Sequence, residues 1–158
     1  LLHNQYKENI AIIMSKVEDF LTSEEEAEIV KAISQAEKNT SGEIRIHIED
    51  HTEKPPLERA QEVFHFLGMD NTSLRNGVLF YVGVADHAFA IIGDEGIDKV
   101  VENDFWDCTR DTVISHFKEK KYKEGLVAGI LRAGERLEQY FPFTDGDKDE
   151  LSNEISKG

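Results

Sequence analysis

The chain has 158 residues, of which 39% are hydrophobic and 9% aromatic, enough for one domain with a real core and too apolar for a disordered chain. Thirty-two acidic residues against 18 basic ones give a formal charge of -14, which opposes binding to nucleic-acid backbones or anionic membranes and suits divalent cations or a basic protein partner. The one cysteine, Cys108, excludes an internal disulfide and has no metal-binding spacing to a second Cys or a His; a small buried or half-buried helix residue is the expectation.

No run reaches the roughly 18 apolar residues of a membrane span, and "NIAII" falls short of a signal-peptide core of about 7–15 residues. A cytoplasmic protein without a membrane or nucleic-acid partner is therefore expected. "MSKVEDFLTSEEE" reads as a natural opening, which makes Met14 a candidate start and residues 1–21 an N-terminal arm.

In "TSEEEAEIVKAISQAEKN", Thr22 and Glu25 form a capping-box pattern. Glu24, Glu25 and Glu26 complement the helix dipole, and Ile29, Val30, Ile33 and Ala36 make an apolar stripe. "EIRIHIED" alternates strictly and predicts a strand with Ile44, Ile46 and Ile48 in the core and Glu43, Arg45, His47 and Glu49 toward solvent. Pro55 and Pro56 open a second helix whose inner face is Leu57, Ala60, Val63, Phe64 and Leu67.

"NGVLFYVGV" is continuously apolar and predicts a central strand covered on both faces. "HAFAII" follows closely enough to pair with it as a hairpin around Asp86. Beyond the strand end "IIGDEGI", a stripe of Val100, Val101, Phe105, Thr109, Val113 and Phe117 breaks near Asn103–Asp104. "YKEGLVAGILRAGERLEQYF" is a last helix whose Gly125, Gly129 and Gly134 suit close packing on a neighbour, and Pro142 ends it. Residues 22–142 thus form a single domain, and 143–158 are expected as a flexible polar tail. The tail is not an EF-hand: Asp145, Asp147 and Asp149 fit the first ligand positions, but Glu150 stands at the glycine and Ser156 at the final glutamate.

A strand–helix–strand crossover makes the first two strands parallel, and the hairpin makes the third antiparallel. One pole of the sheet then collects Glu49, Asp50, His51, Asp86 and His87. The other collects Ser41, Gly42, Glu43, Asp70, Asn71, Arg75, Asn76 and the "GDEG" exit, with Asp104 and Asp107 able to fold back on it. Carboxylates gathered at about 4 Å repel by roughly 4 kcal/mol at an effective dielectric of 20, and a cation, Arg75 or a raised pKa relieves them. Oxygen ligands with few histidines suit Ca or Mg. Asp94 and Glu95 also fit an ordinary turn, and both readings stand at this point. Neither a P-loop, a Cys-x5-Arg pattern nor G-x-S-x-G is present, so no catalytic residue is assigned.

"TSGEIRIHI", "RNGVLFYVGVADHAFAIIGDEGI", "NDFW" and "HFKEKKYKEGLVAGI" occur in order and resemble the TPM domain family from Glu24 to about Phe141. The resemblance implies a three-layer α/β/α sandwich around a small mixed sheet with a β-hairpin. It also implies Ca or Mg in an acidic cleft, and an acid phosphatase or a maintenance role. Carried over, the metal residues are Glu43, Asp94 and Asp104, with Arg75 and Asn76 in support and Glu95 in the same loop. Three functions follow: a divalent-cation-binding domain, a metal-assisted acid phosphatase, and a protein-interaction module without metal.

Overall fold

The computed structural model describes residues 17–144 and 150–158. The proposed start at Met14, most of the N-terminal arm, and Asp145, Asp147 and Asp149 lie outside the described residues. Helix α1, Ser23–Ala36, opens on the expected capping box, with Thr22 and Glu25 each bonded to the other's backbone amide. Strand β1, Glu43–Glu49, leads through α2, Pro56–Phe66, into β2, Gly77–Gly83. Hairpin strand β3, Ala88–Gly93, is followed by one short helical turn α3, Glu95–Asp98, then α4, Asp107–Lys118, and α5, Tyr122–Tyr140. The break between α3 and α4 falls where Asn103–Asp104 interrupt the apolar stripe.

The sheet order is β3-β2-β1-β4, where β4 is Ser156–Lys157. Strands β1 and β2 are parallel in the register Glu43↔Gly77 to Glu49↔Gly83, and β2 and β3 are antiparallel. Ile44, Ile46, Ile48, Val78, Phe80 and Val82 face α1, α4 and α5, while Leu79 and Tyr81 face α2. This is the expected α/β/α sandwich, with a core on each side of the sheet. Among the described residues no helix is long and apolar enough to cross a membrane.

Three expectations are corrected. His47 is 6% exposed instead of facing solvent, because the Tyr81 ring stacks on it and Ser156 and Gly158 lie against it. Cys108 is exposed, on the outer face of α4. The end of the supposed loose tail forms β4, pairing in parallel with His47 and Ile48 of β1.

The glycines of α5 serve close packing, as their spacing suggested. A Cβ on Gly134 would lie 2.7–2.9 Å from the Cβ, carbonyl oxygen and Cα of Ala36 on α1, and backbone there cannot yield as a side-chain tip would. Gly134→Ala gains about 1 kcal/mol of helix propensity but meets an overpacking cost of about 1–3 kcal/mol or more. The expected net result is a lower urea midpoint, opposite in sign to the same change at an exposed helix glycine.

Candidate functional site

The two ends of the sheet solve the problem of buried carboxylates differently. At the hairpin end, Glu49 is 5% exposed, and β1 aims it beneath α2. Arg59 of α2 donates to both its oxygens at 2.9 Å, and the Tyr81 hydroxyl donates at 2.5 Å. His47 Nε2 lies 3.0 Å from the same carboxylate, so it carries the proton while Nδ1 accepts from the Ser156 hydroxyl at 2.9 Å. Burial by itself would raise the Glu49 carboxyl, but the bonds from Arg59, Tyr81 and His47 outweigh it and hold the group at about 2. Burial lowers His47 and raises Tyr81, which keeps both neutral at pH 7. Nearby, at the exposed rim, His51 meets Asp86 at 2.6 Å.

At the opposite end, Asp94 closes β3 and caps α3, accepting from the Glu95 amide at 2.8 Å. Its side chain is 6% exposed. Arg75 Nε and Nη2 donate to its two oxygens at 2.8 and 3.1 Å, a bidentate pair. Arg75 also reaches Glu95 at 3.5 Å. It sits in the Thr72–Asn76 loop with a left-handed backbone, φ 51°. The Gly96 amide donates to the Arg75 carbonyl at 2.9 Å, and a Cβ on Gly96 would collide with the Leu74 and Arg75 carbonyls. The glycine after "DE" therefore lets α3 close onto this loop.

Between β3, α2 and α3 lies a cleft of about 350 Å³, lined by Asp70, Arg75, Asp94, Asp98 and Trp106 among others. Asp98 stands four residues after Asp94 and bonds through its amide to the Asp94 carbonyl. Burial, and then the charge of Asp94, push its carboxyl above the ordinary aspartate range. Asp70 accepts from His65 at 2.9 Å, which holds its carboxyl down. The indole Nε1 of Trp106 is buried and has no hydrogen-bond acceptor among the described residues.

The remaining expected residues are dispersed. Glu43 is 3% exposed and is turned to the sheet edge, where it accepts from the backbone amides of Glu150 and Leu151. Asn76 is 1% exposed and acts as a strut: its carbonyl accepts from the Glu43 amide, and its side chain donates to the Ser41 hydroxyl at 3.3 Å. Asp104 is exposed, in the turn before α4. Topology thus joins Asp94, Glu95 and Arg75, while Glu43, Asn76 and Asp104 stand outside the cleft lining. Among the described residues no group of three or more His, Cys, Asp or Glu side chains is placed to hold a metal ion. Asp98 and Trp106 were not singled out from sequence. The i,i+4 spacing of Asp94 and Asp98 is the signal for the first, once "DEGID" is read as a helical turn and not as a loop.

The chain matches the family described as TPM domain over residues 14–136. It is similar to the NMR structure of BA42 protein from the psychrophilic bacterium Bizionia argentinensis, with 57% identity, a TM-score of 0.85, and coverage of 91% of this chain and 99% of that one. It also shares its fold with the N-terminal domain of a P. gingivalis protein, at 18% identity and TM-score 0.64 over 77% of this chain and 79% of that one. An N-terminal domain from Corynebacterium glutamicum has the same fold at 10% identity and TM-score 0.58, over 87% of this chain and 80% of that one. No curated protein matches the chain.

The Glu49 network makes a pH prediction with a definite sign. Its folded pKa lies below the unfolded value of about 4.3, so its stabilisation is complete above that value and is lost as pH falls through about 2. Glu49→Gln is expected to lower stability at pH 7 and to flatten the loss between about pH 4 and 2. Urea unfolding across that range checks it, and parallel curves for the two proteins would count against the network.

Proposed function

The chain belongs to the TPM domain family, and from that premise we propose that it binds a divalent cation, Ca or Mg, in the cleft behind Asp94. The observation that carries this reading is an imbalance of charge. Asp94 and Glu95 share one guanidinium, that of Arg75, while Asp70 and Asp98 line the same cleft, and the Asp98 carboxyl is raised by burial and then by the Asp94 charge. A doubly charged ion relieves that repulsion where one arginine does not.

The donors are all oxygens, the chemistry that suits Ca or Mg. Asp94 is the first ligand, Asp98 and Asp70 share its cleft, and Glu95 stands at the exposed edge. Glu43 and Asp104 are more remote contributors to the negative field. Because three carboxylates do not converge on one point, water and backbone carbonyls complete the shell, and affinity falls on the order of 10⁻⁴ to 10⁻³ M. Asp94 already accepts from Arg75 at both oxygens, so binding draws it away from that partner.

A second reading is metal-assisted hydrolysis of a phosphate ester. The unpaired Trp106 N–H and the Arg75 guanidinium favour it, as two donors lining one cleft. Among the described residues no Ser, Thr or Cys lines that cleft, which leaves water or one of its aspartates as the nucleophile. On this reading Arg75 stabilises developing negative charge. The third reading, recruitment of a basic protein, uses the same negative field without an ion.

Calcium titration followed by amide shifts tests the proposal. Saturable shifts are expected at Gly93–Asp98 and Arg75 in the millimolar range, and Asp94→Asn should abolish them. Shifts scattered over the surface and unchanged in Asp94→Asn would leave no specific site.

A further inference from the structure

Residues 150–158 form a strap along the edge of β1 and touch both ends of the strand. At the start of β1, the Glu150 and Leu151 amides donate to the buried Glu43 carboxylate, the latter at 3.0 Å. The Glu150 carboxylate in turn accepts from the Ser73 amide and hydroxyl, at 3.3 and 3.2 Å to one oxygen. Leu151 packs into the core beneath α2. At the other end, Ser156 meets His47, and the Gly158 amide donates to the Ile48 carbonyl at 2.9 Å.

Ser73 lies two residues before Arg75 in a loop with little slack. Within it the Arg75 amide donates to the Thr72 carbonyl at 3.3 Å, and the Asn76 amide donates to the Thr72 hydroxyl at 3.3 Å. Arg75 holds a left-handed backbone, a conformation that a residue with a side chain keeps only where its surroundings impose it. The strap grips this loop from one side, at Ser73. Asp94 and the Gly96 amide grip it from the other, at the Arg75 side chain and carbonyl.

We infer that the strap and the Arg75–Asp94 ion pair are one coupled unit, joined through the Thr72–Asn76 loop, so that releasing either loosens the other. Coupling free energies are reciprocal, so the effect runs in both directions. The coupling involves only contacts within the chain and is independent of the proposed function. One consequence rests on that reading: a cation that draws Asp94 from Arg75 also loosens the strap and uncovers the β1 edge.

Amide hydrogen exchange on the full chain tests the coupling. In Asp94→Asn the Glu150 and Leu151 amides are expected to exchange about tenfold faster, with the core amides of Ile46 and Phe80 unchanged. In Leu151→Ala, which alters no charge, the Gly96 amide should exchange faster by a similar factor. Strap exchange that is unchanged in Asp94→Asn, or that rises only in step with the core amides, overturns the inference. Millimolar calcium should accelerate strap exchange in the unmodified protein. If calcium moves no cleft amide, the cation reading fails, and the two substitutions still decide the coupling.

Discussion

One guanidinium holds the loop pole together. Arg75 makes a bidentate pair with the buried Asp94, reaches Glu95, and lines a cleft that also contains Asp70 and Asp98. Asp94 is the buried member of the pair and Arg75 is 40% exposed, so it is removal of the arginine that would leave a buried charge uncompensated. The left-handed Arg75 backbone, the Gly96 contact with its carbonyl and the exit of β3 meet at that guanidinium. Burial, and then the nearby Asp94 charge, still raise the Asp98 carboxyl in that cleft.

The opposite end of the sheet shows what a satisfied arrangement looks like on the same scaffold. Glu49 receives Arg59 at both oxygens, the Tyr81 hydroxyl and the His47 imidazole, and its carboxyl falls to about 2. Every donor there comes from a strand or from α2, elements packed on the second core. That end is a closed structural network. The Asp94 end is built from turns and a single helical turn, where Asp94 and Glu95 share the Arg75 guanidinium and Asp98 has the Asp94 charge beside it. That contrast is why binding is proposed at the loop pole and not at the hairpin pole.

Much of the fold is legible in the sequence because it rests on periodicity. The capping box at Thr22, the alternation of Ile44, Ile46 and Ile48, and the unbroken apolar run of β2 each specify their element locally. Antiparallel pairing of β2 and β3 then brings Arg75, just before one strand, to Asp94, just after the other, a proximity read from topology alone. The burial of His47 was not legible, because alternation tells which residues share a face and not what covers that face, here Tyr81, Ser156 and Gly158. The strap was invisible for a related reason. A two-residue strand has no period, and its anchors are backbone amides on the Glu43 carboxylate. Glu43 was expected to serve the site and instead ties down residues nearly at the other end of the chain.

The most direct test follows the Arg75 side chain itself, with Arg59 as an internal control, since both donate through Nε to a buried carboxylate. The two Nε–H resonances are measured as calcium is added at constant ionic strength. The expected result is a saturable shift and faster solvent exchange at Arg75, with Arg59 unmoved. Unchanged resonances for both arginines, or equal changes in both, would contradict the claim that a cation takes Asp94 from its arginine.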